Sequence, residues 1–357
     1  MNAGKPIADV ARELKRQIET RKDFLAPQGR LTMGMKGSDV RMFGLDGPHG
    51  LNIRQLAHEQ IGETVAIPRK YYDRMLMEAP DLLALNVNRW FEKDKSTKRM
   101  VRTLDGFARA FLSERFRPLD NVDLMGALLP VIEKKGAQVM SSELTDKRLY
   151  VKAILPSMEA KIATSKEVGD IVSAGICVSN SEVGCGALRI EPFVYRLSCK
   201  NGLIVPDMAL RKYHVGKGAD ADGLGRLLTT EAKRADDKAF WLRVRDITNA
   251  AFDVDVFKAT VSKMNVAAGQ EIKTDDLPAV VEIVTREEDI PERVSKLIEG
   301  NLIKGKDFTR WGLVNAVTAA ANVESDYEVA THLERTGGKI LDLSRSQWDY
   351  LACAGNN

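Results

Sequence analysis

This sequence has little of what marks a catalytic or a membrane-bound chain. Only four of its 357 residues are cysteine and four are histidine. Cys177, Cys185, Cys199 and Cys353 show no two-residue spacing and no nearby histidine, so the usual tetrahedral zinc patterns are absent and reduced, packed thiols are expected. No run approaches the roughly 18 apolar residues of a membrane span, and the opening MNAGKPIADVARELKRQ lacks the unbroken apolar core of a signal peptide. A cytoplasmic address without a membrane partner is the expectation. Charge of one sign is missing too: 53 basic against 50 acidic residues leave a net +3, so affinity for a polyanion must come from local clustering. Glycine-rich stretches such as GKGADADGLG match neither a phosphate loop nor a dinucleotide fingerprint. No catalytic residue, metal site or cofactor is assigned.

What is present is an ordinary globular composition, 44% hydrophobic and 29% charged, long enough for two domains or one large one. Apolar residues at Val10, Ala11, Leu14 and Ile18 predict an amphipathic opening helix stopped by Pro27. RLTMGM and DVRMFGL alternate like short strands, and residues 52–92 read as three short helices, two of them opened by Pro68 and Pro80. MVRTL and FARAFLS flank Asp105-Gly106, a pair suited to a two-residue hairpin loop. Asp120 or Asn121 caps a helix that Gly136 closes, with Pro130 expected to bend it. AQVMSSEL, RLYVKAIL ended by Pro156, DIVSAGICVSN and GALRIEPFVYRLSCKN read as strands with connections too short for parallel crossovers. A charged helix follows from about 227 to 252, and everything beyond reads as helical, with a start near Ser325-Asp326 and a stop at Gly337-Gly338. GADADGLG, 218–225, reads as a flexible loop. The order predicts an α+β fold: an antiparallel sheet backed by helices, with N-terminal helical segments and a helical C-terminal module. The expected divisions are 1–97 for the N-terminal helices and short strands, 98–252 for the sheet core with its long helix, and 253–357 for the helical module.

NSEVG at 180–184, YRLSCKNGLI at 195–204, RAFLSERFRPLDN at 109–121 and FTRWGLVNAVT at 308–318 together resemble the phage- and plasmid-borne family catalogued as domain of unknown function 932. The resemblance spans about 40 to 345 and implies a prokaryotic mobile-element protein, with no established activity. The element order at 120–252 is also similar to the core of single-strand annealing proteins, whose subunits form rings around single-stranded DNA. That likeness is topological only.

Two constellations are singled out. In the NSEVG loop, Asn180 and Ser181 can bond nearby backbone and Gly184 supplies a conformation closed to other residues, with Asn201-Gly202 as a second turn. A structural turn, a binding loop, and Glu182 as a general acid or base remain open readings. Lys152, Arg189, Arg196, Lys200, Arg211, Lys212, His214 and Lys217 form a cationic set near Tyr195 and Tyr213, of the kind that holds phosphates while bases stack. Alternation puts Arg196, Ser198 and Lys200 on one face and Tyr195 on the other, which makes Tyr195 core. NRWFEKDKSTKRMVR is a second basic-aromatic segment, interrupted by Glu92 and Asp94. Cys177 or Cys199 with His214 is a weak nucleophile-base pair, because thiols in packed strands are inert. The preferred expectation is nucleic-acid binding, with single-stranded DNA held or annealed by a homo-oligomer. The alternatives are a protein-interaction module and a small-molecule enzyme built on the NSEVG loop.

Overall fold

A computed structural model describes residues 1–45, 47–162, 170–205 and 230–355. Among these residues two sheets organise the chain. The first contains β1 (Lys22–Pro27), β2 (Thr32–Lys36), β3 (Asp39–Phe43), β4 (Leu51–Ile53), β5 (Lys98–Leu104) and β6 (Phe107–Ser113), in the order β1-β5-β6-β4-β3-β2. All its pairings are antiparallel except β4 with β6. One face packs on α2 (Gln55–Thr64), α3 (Arg69–Glu78) and α4 (Pro80–Lys93): Met33, Met42, Val101 and Phe111 meet Ile61, Tyr72, Leu83 and Val87 in a common core.

The second sheet is fully antiparallel, in the order β11-β10-β9-β8-β7. It is formed by β7 (Gln138–Leu144), β8 (Leu149–Lys161), β9 (Ile171–Asn180), β10 (Arg189–Arg196) and β11 (Asn201–Ile204). Leu149, Val151, Ile176 and Val178 pack against α1 (Ile7–Thr20), α5 (Asn121–Lys135) and α6 (Thr230–Ala251) through Val10, Leu124, Leu128 and Val244. Beyond come α7 (Val254–Ala268), α8 (Leu277–Glu287), α9 (Glu292–Gly305), α10 (Arg310–Ala320), α11 (Tyr327–Asp342) and α12 (Arg345–Ala352). Of these, α11 covers the opposite sheet face, where Tyr327 meets Tyr150 and Arg335 reaches Glu191. The α+β class with a helical C-terminal module is thus the architecture of the chain.

The hairpin turn forms at Asp105-Gly106, with φ of +53° and +78° at its two residues, the signature of a type I′ turn. Arg16 and Thr20 of α1 hydrogen-bond the Asp105 carboxylate and pull it down to about 2, which pins α1 across the hairpin. Gly136 ends α5 at φ +69°. Asp120 sits at the cap of that helix without capping it by side chain, because Arg102 and Arg21 occupy its carboxylate.

Several expectations change. The hairpin at 98–113 joins the N-terminal sheet, not the central one, because β6 pairs with the far-upstream β4 in parallel register, Phe107 opposite Asn52. A boundary at 97 would cut that sheet. β8 continues past Pro156 to Lys161 through a register irregularity between Ile154 and Glu159 that accommodates the proline. Gly337-Gly338 lies inside α11, where an added Cβ at Gly337 would stand 2.5 Å from Thr318 Cγ2 and 2.9 Å from Leu203 Cδ1. Neither glycine stops the helix, and Gly337 serves close packing. The loop expected at 218–225 lies outside the described residues.

Candidate functional site

The NSEVG loop closes the space between the two sheets. Ser181 donates to the Lys147 carbonyl at 2.8 Å and accepts from the Cys185 amide at 2.9 Å, a serine turn of the expected kind. Gly184 has φ +81°, and a Cβ there would meet Leu112 at 2.6 Å, so conformation and space both demand glycine. Asn180 bonds across the molecule instead of locally, donating to Leu119 O and Asn121 Oδ1 at 2.8 Å each. Val183 packs on Ala110 and Leu112 of β6, and Gln60 of α2 joins the Val183 carbonyl to the Phe111 amide.

Glu182 is buried at 4% exposure. Its Oε2 accepts from Arg109 at 2.8 Å and its Oε1 from the Asn121 amide at 2.6 Å, with Arg21 3.7 Å away. Arg102, wholly buried, donates to the Glu182 carbonyl, to Asp23 and to Asp120. Three guanidinium groups and three carboxylates therefore share one partly desolvated knot. Both oxygens of Glu182 are engaged, so it positions Arg109 and the start of α5 and is not poised for proton transfer.

Arg109 owes its direction to a β-bulge. Thr103 pairs with Ala108 and Arg102 with Ala110, leaving Arg109 as the extra residue, and such bulges re-aim side chains next to binding sites. Burial is the main influence on its guanidinium and pulls it below the usual arginine range, against the opposing pull of Glu182. Its Nε is buried and has no hydrogen-bond partner. The group lines a cavity of about 250 Å³ between α1, α2, the β7–β8 turn and the NSEVG loop, together with Arg54, Glu59, Asp146, Lys147 and Arg148. Arg54 also carries an unpartnered buried Nε, although its Nη1 bonds Asp146. A neighbouring cavity of about 400 Å³ shares Gln17, Arg54 and Thr145 with the first, so the two form a continuous cleft.

The described members of the expected cationic set, Lys152, Arg189, Arg196 and Lys200, do not gather. Lys152 is at 0% exposure, with its ammonium 2.5 Å from Glu334, 3.2 Å from Thr331 Oγ1 and over the Tyr327 ring. Arg196 is buried and bonded twice to Asp170, at 2.5 and 3.0 Å, and Trp311 donates to the same carboxylate. Both cations are removed from solvent and neutralised within the core, so neither stands where a phosphate could reach it. Arg189 and Lys200 are exposed, but they lie at opposite ends of β10, about 25 Å of strand apart. Strand alternation stops at Arg196, since Leu197–Lys200 form a turn in which Lys200 takes φ +55°. Asn201 and Gly202 are strand residues, not the turn: Asn201 accepts from Asn322, and Gly202 packs on Phe193 and Glu334. Arg211, Lys212, His214 and Lys217 lie outside the described residues.

Tyr195 is core, as alternation predicts. In the second basic-aromatic segment Phe91 stacks on Phe111 inside the N-terminal core, while Trp90 is exposed with Lys93 over its ring. The Cys177 thiol is fully enclosed and pushed up to about 12 by burial, which makes it inert as a nucleophile near neutrality. Among the described residues no three His, Cys, Asp or Glu side chains converge on a possible metal position, and no helix is long and apolar enough to cross a membrane. Arg54 and Arg109, which line the cleft, and the enclosed Arg102 that holds the Glu182 carbonyl are not distinguishable as a site in the sequence. The available signal was an arginine inside each apolar strand of the hairpin, MVRTL and FARAFLS.

The fold and cleft define an α+β protein whose two sheets are joined by a buried polar loop. Residues 110–327, which carry that loop, the whole central sheet and α5 through α10, match the family described as Domain of unknown function (DUF932). The chain belongs to this family. Neither the curated proteins nor the solved structures contain a match.

Proposed function

We propose that the cleft between the sheets binds a small anionic ligand, with Arg109 as its principal contact. The observation that carries this is the buried guanidinium aimed into the cavity by a bulge, with one N–H unmade. An unsatisfied buried donor costs roughly 1–3 kcal/mol, and a carboxylate or phosphate is the group that accepts from a guanidinium through two parallel bonds. Glu182 anchors one side of Arg109 and leaves the other for the ligand, while Arg54 stands across the same cavity. The chemistry supported is capture and orientation, with no covalent step.

A second reading, nucleic-acid binding in phage or plasmid DNA metabolism by an oligomer, is favoured by the exposure of Arg189 and Lys200. It must do without Lys152 and Arg196, so the salt dependence of binding, about −0.7 per phosphate neutralised on a single strand, is correspondingly shallow.

One experiment addresses both. The full chain is melted with inorganic phosphate, citrate and ribose 5-phosphate, and its affinity for a labelled oligonucleotide is followed by anisotropy at two salt concentrations. A ligand at a hundredfold excess over its Kd stabilises by about 2.7 kcal/mol, a rise of about 3–4 °C for a chain of this length. Arg109→Lys, which keeps the charge opposite Glu182 but loses the fork, weakens that response. If no anion raises the melting temperature, or Arg109→Lys responds as the parent does, the anion reading is lost. Salt-insensitive or absent oligonucleotide binding removes the second.

A further inference from the structure

Arg54 and Arg109 of the cleft also belong to a strip of the first sheet on which further polar atoms lack partners. Arg41 on β3 stands opposite Asn52 on β4, and Asn52 opposite Phe107 on β6. Side chains two residues apart on a strand share a face, so Arg54 follows Asn52 there, and its guanidinium lies over the Phe107 ring at 5.2 Å. The neighbours Met42, Leu51, Ile53 and Ala108 point the other way, into the core beneath the helices. On this strip the buried atoms Arg41 Nε, Asn52 Oδ1 and Arg54 Nε have no hydrogen-bond partner, and Arg109 Nε at its end has none. The remaining unpartnered buried side-chain atoms among the described residues all belong to Glu334 and Thr336 of α11. Buried polar atoms are nearly always satisfied by protein, ordered water or ligand, so their concentration along one strip marks a place where polar partners are taken from outside the chain.

Resting on the anion reading above, we infer that the ligand is a nucleotide, with its phosphate at Arg109 and Arg54 and its base at Arg41 and Asn52. The reason is the mixed character of the orphaned atoms. A simple polyanion satisfies donors only, and leaves Asn52 Oδ1 unpaired. An unmade donor on Arg41 beside an unmade acceptor on the facing residue asks for a partner that presents an acceptor beside a donor, as the hydrogen-bonding edge of a nucleobase does. Arg54 laid on Phe107 adds a flat surface beside that edge, of the type on which bases stack. From Arg41 to Arg109 the strip crosses three strands and advances two residues, about 12 Å in all, which requires an elongated ligand whose two ends differ chemically. A free nucleotide and the 5′ end of a single strand present the same chemistry.

Isothermal titration of the full chain with the four nucleoside 5′-monophosphates, with ribose 5-phosphate and with inorganic phosphate tests this. At least one nucleotide binds about tenfold or more tightly than ribose 5-phosphate. That advantage disappears in Asn52→Ala and in Arg41→Met, while ribose 5-phosphate affinity stays at the parent value. The unchanged sugar phosphate affinity shows that both variants are folded. If ribose 5-phosphate binds as tightly as every nucleotide, or if both variants keep the preference, the inference is overturned while the anion reading stands. If neither phosphate, sugar phosphate nor nucleotide binds, both fall. A 5′-phosphorylated oligonucleotide that displaces the mononucleotide, and binds more tightly than it, identifies a strand end as the source; weaker binding identifies the free nucleotide.

Discussion

Lys152→Ala is the perturbation whose outcome differs most between a surface phosphate contact and a core ion pair. Lys152 and Glu334 are both wholly buried, with 2.5 Å between Nζ and Oε2. Neither oxygen of Glu334 receives a well-directed hydrogen bond, and Gly202 and Phe193 crowd the carboxylate from the sheet side, so the ammonium is its principal compensation. Removing one partner of a buried pair costs about 3–5 kcal/mol, because the other charge is stranded. With an unfolding entropy of about 2.1 cal/mol/K per residue, a loss of about 4 kcal/mol lowers the melting temperature of the 357-residue chain by about 5 °C. The paired change Lys152→Met with Glu334→Leu removes both charges at similar volume and recovers most of that loss, and calorimetry on the four members of this cycle yields the coupling directly. A surface lysine behaves differently: truncation leaves the melting temperature within about a degree and weakens oligonucleotide binding instead. That second pattern would refute the assignment of Lys152 to the core.

Two further outcomes are expected. His58, 6% exposed and bonded through Nδ1 to the Tyr72 hydroxyl at 2.9 Å, is pulled down to about 4 by burial from an ordinary value of 6.5. The unfolded chain therefore binds the extra proton between those limits, and stability falls as the pH drops from 6.5 to 4, by about 3 kcal/mol from this group. In melts from pH 7 to pH 4, His58→Gln loses less stability than the parent; equal losses would show that His58 accepts its proton while folded. Gly337→Ala drives a methyl group into Thr318 and Leu203, and overpacking of about 1–3 kcal/mol outweighs the helix propensity gained. Thr318→Ser, which retains the hydroxyl bond to the Val314 carbonyl, restores the melting temperature if that contact is the cause.

Local chemistry was readable in the sequence wherever it acts over a few residues. The Asp105-Gly106 turn, the Gly136 stop, the alternating strands of the central sheet and the serine turn at Ser181 all depend on neighbours in the chain. Pairings set by distant partners were not readable. Nothing near Phe107 announces that Asn52 lies beside it, and so the hairpin appeared to belong to the central sheet. The same gap hid the cleft. Glu182 and Asn180 were visible as candidates, but the meaning of Glu182 depends on Arg109 and Asn121, and that of Arg109 on a bulge one residue long. Lys152 is the lone charge within LYVKAIL, and Glu334 sits on the inner side of α11 between Ala330 and Leu341, both buried. A single charge inside an apolar strand finds its counter-ion in the core more readily than it finds a phosphate.

The one-residue irregularity at Arg109 sets regular pairing against use. Deleting that residue would let Arg102 and Thr103 meet consecutive partners on the facing strand, giving a flatter, more uniform ribbon with an unbroken ladder. The same deletion would erase the cation at the cavity wall and leave the Glu182 carboxylate without its closest guanidinium. Repairing the strand here means losing the receptor and stranding a buried carboxylate, so the irregular ladder is the form that both lines the cavity with a cation and keeps the Glu182 charge paired.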